Sequence, residues 1–223
     1  MLTLALPSGK SLEEPALAAL AKAGIEVYRQ GSRATFPNCP LLGTGHFLKP
    51  KRIPSFVAEG IVDAGIVGAD ILYDTNWWGK ITCWGPVPIG RSGDGSTRIV
   101  WCQSADDPFV WPSNELAIRA ALKAALESGP VLSEYPVFTR RLFDLYGVES
   151  DIVPSPGSAE AEVPLRYRFA VCLSETGRSL QENGLVGKVL MECSTLLIAN
   201  PKAYANEEKR KEIYALGKAL GGE

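Results

Sequence analysis

Short apolar runs alternate with helical patterns along this chain, separated by polar turns that carry glycine or proline. Leu2–Leu6 leads through Pro7-Ser8-Gly9 into a pattern that puts Leu12, Ala16, Leu20 and Ala23 on one helical face. Glu13 and Glu14 open that helix, Lys22 closes it and Gly24 stops it, all favourable to the helix dipole and cap. Ile25–Tyr28 resumes a strand, and a second helix starting at Pro54 runs into the apolar strand Ala64–Val67. Further strands are predicted at Ile99–Cys102, Val131–Ser133, Ile152–Val153, Phe169–Leu173 and Val189–Leu197. Helices are predicted at Ser113–Glu127, Pro136–Tyr146 and Glu207–Leu220. This order predicts an α/β fold with mainly parallel sheets, in which ligands collect beyond the carboxyl ends of the strands.

Between Tyr73 and Thr97 the alternation breaks into a Trp-, Gly- and Pro-rich stretch that marks a crossing between domains. Trp77 and Trp78 are expected to pack against another domain or subunit in preference to stacking on a ligand. The segment 90–96 reads as a mobile lid or a hairpin tip. A formal net charge of −2 over 223 residues supplies no field that would gather nucleic acid, so a small phosphorylated ligand fits better. No run approaches membrane-spanning length, and the N-terminus carries no basic leader with a cleavage site, so no membrane partner is expected. Cys39, Cys83, Cys102, Cys172 and Cys193 are odd in number and widely spaced, which predicts reduced thiols in the cytoplasm. His46, the one histidine, reads as a loop residue with no metal role.

The most chemically specific stretch runs from Glu175 to Leu185, directly after the strand Phe169–Leu173. Gly177 lets the backbone approach a ligand, Thr176 and Ser179 offer hydroxyls, and the N–H groups of a helix beginning near Ser179 would face a phosphate. Cap chemistry draws on the same residue types, so this segment alone leaves both roles open.

Several separated segments together resemble the short form of ATP phosphoribosyltransferase, the enzyme of the first committed step of histidine synthesis. Leu4-Ala5-Leu6-Pro7-Ser8-Gly9-Lys10 is similar to that family's opening segment. Ile53-Pro54 through Gly60, Asp63, Gly65-Ile66-Val67-Gly68 and Asp70 is similar to its second motif. Tyr135-Pro136 with Arg140-Arg141, then Gly157-Ser158 with Glu160, then Thr176-Gly177-Arg178-Ser179-Leu180 through Glu182-Asn183-Gly184-Leu185 complete the series.

The resemblance implies two α/β lobes of the periplasmic-binding-protein-like (type II) kind, with an interlobe cleft. Residues 1–97 with 184–223 would form the first lobe, and residues 98–183 the second, carrying the phosphoribosyl loop. It implies that the regulatory domain of the long form is absent, and that the chain forms homo-oligomers and hetero-oligomers with a histidyl-tRNA-synthetase-like regulatory subunit. The implied reaction displaces pyrophosphate from C1 of phosphoribosyl pyrophosphate by N1 of ATP, with Mg2+ and cationic side chains neutralising the leaving group. Such chemistry needs binders more than nucleophiles, in keeping with a chain that has a single histidine.

By the same resemblance, Glu175, Thr176, Gly177, Arg178 and Ser179 would hold the 5-phosphate of the phosphoribosyl group. Gly157, Ser158, Glu160 and Cys172 would lie beside the sugar and its metal. Lys10, Lys49 and Arg98 would face the pyrophosphate or ATP phosphates, Lys10 and Arg98 as electrostatic stabilisers, and Asp70 would border the nucleotide. Four departures gather at this site. Cys172 stands where the family carries an aspartate, Ser155-Pro156 where asparagine precedes the Gly-Ser pair, and Lys49 where arginine is common; the segment from Glu160 to Phe169 is about one residue short. A thiol is a poorer acceptor than a carboxylate, and lysine lacks a bidentate fork. The alternative reading is therefore an altered or non-catalytic protein that binds a small anion or nucleotide on the same fold.

Overall fold

The computed structural model describes residues 1–9, 12–90 and 97–222. Lys10 and most of the expected lid or tip at 90–96 thus lie outside the described residues. The chain divides into two compact α/β units, Met1–Ser96 with Cys193–Glu223, and Thr97–Glu192.

The first unit begins with β1 (Leu2–Pro7), α1 (Glu13–Lys22), β2 (Tyr28–Gln30), β3 (Arg33–Thr35) and β4 (Leu42–Leu48). It continues with α2 (Ile53–Ala58), β5 (Ala64–Gly68), α3 (Ala69–Tyr73) and β6 (Thr82–Pro86). The second unit holds β7 (Thr97–Ser104), α4 (Glu115–Leu126), β8 (Val131–Ser133), α5 (Pro136–Tyr146), β9 (Ile152–Pro154), β10 (Phe169–Ser174), α6 (Arg178–Glu182) and β11 (Leu185–Cys193). The chain then returns to the first unit through β12 (Thr195–Ala199), α7 (Pro201–Ala205) and α8 (Glu207–Ala219).

The first sheet has the order β2-β3-β4-β1-β5-β12-β6. Its parallel pairing is confined to β4-β1-β5, while β2-β3-β4 is an antiparallel meander and β12 runs antiparallel to both β5 and β6. The second sheet has the order β11-β7-β10-β8-β9, with β10, β8 and β9 parallel and β7 antiparallel to β10. The α/β expectation holds, with the sheets mixed in direction where mainly parallel ones were expected. Short hairpins and the returning strand enter each sheet from the opposite end, and only antiparallel pairing accommodates that.

Two expectations change for the same reason. The single strand expected at Val189–Leu197 is two strands that break at Ser194 and join different sheets. Because Leu185–Cys193 pairs beside β7, the return crossing follows Glu192 and not Asn183. His46 is not in a loop; it lies within β4, opposite Arg33 of β3 and Ala5 of β1.

The core of the first unit gathers Leu2, Leu4, Leu6, Leu20, Ile66, Leu197, Ile213 and Leu216 around the sheet. A fully buried aliphatic side chain contributes about 1.5–3 kcal/mol, so α1 and α8 are held by these contacts more than by propensity. Trp84 fills the seam between β6 and α8: a Cβ built on Gly217 or Gly222 would come within 2.5 Å or 2.4 Å of its indole ring. Trp78 stacks on Tyr73 at 4.8 Å and the Lys80 ammonium sits 4.9 Å from the Trp77 ring centre, so both tryptophans find partners inside their own unit. In the second unit Trp101, Phe109, Trp111 and Phe169 form one aromatic cluster.

Local chemistry explains the helix ends that lead to the site. Asn114 caps α4 by accepting the Ala117 N–H, and α5 starts on Pro136 and stops at Gly147 in the left-handed conformation. Asn200 caps α7 and donates its amide to the Val57 carbonyl, pinning the end of α2.

Candidate functional site

Because β9, β8 and β10 run parallel, the turns after them leave one edge of the second sheet. These are the turn 155–158, Glu134-Tyr135, and the loop 175–177. The antiparallel β7 begins at that same edge, where Arg98 lies opposite Ser174. Four segments distant in sequence thus converge where α/β sheets place ligands.

The loop after β10 has its own internal order. The Ser174 hydroxyl accepts the Gly177 N–H at 3.1 Å, and the Thr176 hydroxyl accepts the Arg178 N–H at a long 3.4 Å. Gly177 adopts φ 77°, a left-handed conformation that other residues enter with strain, and nothing lies within 4 Å of where its Cβ would point. Gly177 is also the N-cap of α6, and no side chain caps that helix. Ser179 is therefore not spent on capping α6, and Thr176 meets that helix only through its long contact with the Arg178 N–H. Among the described residues, the N–H groups of Thr176 and Ser179 and the Ser179 hydroxyl meet no protein partner. The Arg178 guanidinium is exposed and pairs with Glu182 one turn on, a contact of small energy.

The turn after β9 is tied down at its root. The Ser155 N–H bonds to the Ser133 carbonyl, and the Ser155 hydroxyl donates to the Gly157 carbonyl and accepts the Gly157 N–H. Ser158 adopts φ 55°, uncommon for a residue with a side chain, and Glu160 follows in a 3-10 turn. Gly157 itself has φ 149° with open space around it.

Glu134, at the end of β8, was not singled out in the sequence although it precedes Tyr135-Pro136. Its Oε1 accepts the Ala159 N–H at 3.0 Å and its Oε2 accepts the Leu173 N–H at 3.3 Å. The one carboxylate thus joins the turn after β9 to the end of β10. A carboxylate at a strand-to-helix junction, just before a proline at the first helical position, was the available signal.

Cys172 stays in this neighbourhood but turns into the core. It has no exposed surface and packs with Val100, Leu132, Ala159 and Leu180. Its Sγ lies 3.8 Å from that of Cys102. That contact, burial, and the nearby Glu134 and Glu160 carboxylates all push the Cys172 thiol upward in pKa, so it remains neutral. It offers no surface for a direct sugar contact.

Lys49 and Asp70 lie in the first unit, also at a carboxyl edge: β1, β4 and β5 are parallel, and Pro7 pairs with Leu48. Lys49 follows β4, is exposed, and has no acidic partner among the described residues. Lys51 and Arg52 add two exposed cations in the same turn. Asp70 is buried in the first turn of α3, its Oδ1 only 2.1 Å from where a Cβ on Gly68 would sit, so residue 68 has no room for a side chain. Arg98 is half exposed, 3.8 Å from the well-exposed Glu192, a pairing too weak to hold it from a ligand.

The family described as HisG: ATP phosphoribosyltransferase matches residues 49–222. The chain belongs to the ATP phosphoribosyltransferase family. Proteins named ATP phosphoribosyltransferase include one from Methanopyrus kandleri, 29% identical over all of this chain and 74% of its own length. Another, from Novosphingobium aromaticivorans, is 30% identical over 94% of this chain and 89% of its own. Among solved structures, a chain of the ATP phosphoribosyl transferase (HisG:HisZ) complex from Thermotoga maritima superposes with TM-score 0.74 at 24% identity, covering 99% of this chain and 97% of that one. The P235GK mutant of ArgBP from T. maritima, with TM-score 0.54 at 12% identity over 99% of this chain and 89% of that one, shares the periplasmic-binding-protein-like fold.

Within this family the donor set fits a magnesium ion shared with substrate. Among the described residues no three His, Cys, Asp or Glu side chains converge to hold an ion alone. Mg2+ ordinarily uses one or two carboxylates together with substrate phosphates. Glu160 suits that role: it is half-buried at the loop edge, and its carboxylate has no partner among the described residues.

Proposed function

We propose that the protein is the catalytic subunit of an ATP phosphoribosyltransferase, moving the phosphoribosyl group of phosphoribosyl pyrophosphate onto N1 of ATP in the first step of histidine synthesis. The observation that carries the site assignment is the convergence of Arg98, the turn 155–158 and the loop 175–179 on one sheet edge, with amides and hydroxyls left open around Gly177.

In this reading Glu175 through Ser179 cradle the 5-phosphate, using the Thr176 and Ser179 N–H groups and the Ser179 hydroxyl as donors. Gly157 and Ser158 border the ribose, and Glu160 holds Mg2+, which when bound neutralises charge on the departing pyrophosphate. The bond from C1 to the pyrophosphate oxygen breaks as the N1 to C1 bond forms. Arg98 and Lys10 take up charge on the leaving group, while Lys49 and Asp70 serve the ATP. The catalytic gain comes from alignment and charge neutralisation, with no covalent intermediate on the protein. The likeness to a chain of a HisG:HisZ complex, nearly end to end, supports partnership with a histidyl-tRNA-synthetase-like regulatory subunit and self-association. Five free cysteines support a cytoplasmic setting.

The second reading, binding without turnover, draws on Cys172, whose buried thiol supplies no carboxylate to the ribose. The test is calorimetric titration with phosphoribosyl pyrophosphate and ATP, followed by chromatographic assay for phosphoribosyl-ATP, with and without the regulatory partner. Product establishes the enzyme; binding of both ligands with no product under either condition establishes the second reading.

A further inference from the structure

We infer that Glu134 is a positioning residue for the phosphoribosyl donor: its carboxylate clamps the turn after β9 to the end of β10, from which the phosphate loop leaves, so that the two halves of the donor site form one preorganised surface. The inference rests on the function proposed above.

Three observations carry it. First, the two oxygens of one side chain accept from two different segments, Oε1 from the Ala159 N–H in the turn after β9 and Oε2 from the Leu173 N–H near the end of β10, at 3.0 Å and 3.3 Å. Ala159 directly follows Gly157-Ser158, and Leu173 directly precedes Ser174-Glu175-Thr176-Gly177. Second, Glu134 is rigidly seated. Its own N–H bonds to the Val171 carbonyl, extending the β8 and β10 pairing, and next to it the Ser133 hydroxyl accepts the Tyr135 N–H and bonds with the Thr139 hydroxyl. Third, the other hydrogen bonds of the two segments run elsewhere. The turn after β9 bonds to β8 through Ser155 and Ser133, and the loop after β10 bonds mainly to itself through Ser174 and Thr176.

A carboxylate accepting backbone N–H groups makes charge-assisted bonds about twice as strong as neutral ones. Without that clamp, the ribose side and the phosphate side of the site would move independently, and ordering them would fall to the binding event. Glutamine in place of Glu134 keeps the shape but presents one N–H acceptor and one NH2 donor, so one of the two amides loses its partner. Glu134 and Glu160 both place negative charge near the Cys172 thiol, so removing the charge of Glu134 would, for a purely electrostatic role, tighten binding of an anionic donor. Clamp and charge therefore predict opposite signs.

The experiment compares wild type, Glu134→Gln and Glu134→Asp by calorimetric titration with phosphoribosyl pyrophosphate in Mg2+, by titration with ATP, and by thermal melting. The expected result is a donor Kd raised about tenfold in Glu134→Gln, a smaller rise in Glu134→Asp, which keeps the charge, and ATP affinity within twofold of wild type in both. Unchanged or tighter donor binding by Glu134→Gln, with wild type binding normally, overturns the clamp alone. Parallel loss of donor and ATP affinity with a collapsed melt also overturns it, in favour of a purely structural role, and Glu134→Asp decides the matter if Glu134→Gln does not fold. A wild-type protein that fails to bind the donor overturns the proposed function and the clamp together, an outcome recognisable before any variant is made.

Discussion

Glycines serve opposite purposes at two places in this molecule. At the seam between β6 and α8, Gly217 and Gly222 exist because Trp84 already fills the space that their side chains would need. At the loop edge of the second unit, Gly157 and Gly177 face open space, and it is their backbone, at φ 149° and 77°, that requires glycine. The first region is closed by packing, so that even the Trp84 indole N–H, buried there without a hydrogen-bond partner, is out of reach of a ligand. The second keeps N–H groups and hydroxyls without protein partners, and such vacancies cost folding free energy unless water or a ligand meets them. The contrast separates glycines that stabilise a fold from glycines that admit a substrate.

The sharpest way to break the contrast is to put a charge beneath the open edge. Cys172→Asp would bury a carboxyl against Cys102, with Glu134 and Glu160 nearby. The expected cost is about 3–5 kcal/mol at neutral pH, because the carboxylate has no cation to pair with. Burial and like charges raise its folded pKa, so the cost is absent below the unfolded carboxylate range and grows as pH rises. Thermal melts of the variant should therefore fall further below wild type at pH 8 than at pH 5. An equal deficit at both would show that the new carboxyl had reached solvent or substrate.

Gly217→Val tests the closed seam. Overpacking against Trp84 should cost about 1–3 kcal/mol, with donor affinity of the folded fraction unchanged. A normal melting temperature would mean that Trp84 moves freely and that the seam is not tight.

Gly177→Ala tests the open edge from the other side. Strain at positive φ should re-aim the loop and weaken phosphoribosyl pyrophosphate binding about tenfold, while the melt shifts by the equivalent of about 1 kcal/mol. A donor Kd equal to that of wild type would remove Gly177 from the site.

The smallest effect is expected at the opposite end of β10. There the Arg168 guanidinium holds both oxygens of Asp107, at 2.7 Å and 3.0 Å. That hydrogen bonding draws the Asp107 carboxyl below its ordinary pKa, against the opposing effect of burial. The resulting stability is present above the unfolded carboxylate range and is lost as pH falls through the lower folded value. Asp107→Asn should cost about 1 kcal/mol at pH 7 and flatten the acid limb of the stability curve, with substrate binding intact. An acid limb as steep as that of wild type would assign the dependence to other carboxylates.

Much of this was legible in the chain itself. The helix Pro136–Tyr146 and the strand Val131–Ser133 were read with their observed bounds, because Pro136, Gly147 and a short apolar run are local signals. The exposed hairpin of β2 and β3 was legible only at Tyr28, the last residue of the strand expected at Ile25–Tyr28: its strands are Tyr-Arg-Gln and Arg-Ala-Thr, with one buried side chain at Ala34 and no period to detect. Glu134 also escaped notice, since its partners lie 25 and 39 residues away.

The sequence by itself determined most of the helices and the more apolar strands, and placed Thr176 and Gly177 on a turn between a strand and a helix, since periodicity and turn chemistry act between residues a few positions apart. Tertiary structure alone decided which sheet each strand joins, that the segment Val189–Leu197 breaks at Ser194 between two units, that Cys172 faces Cys102, and that one carboxylate joins a turn to the end of β10. Those outcomes depend on which distant segments become neighbours. That choice is made by burying whole faces against one another, and no local pattern of residues encodes it.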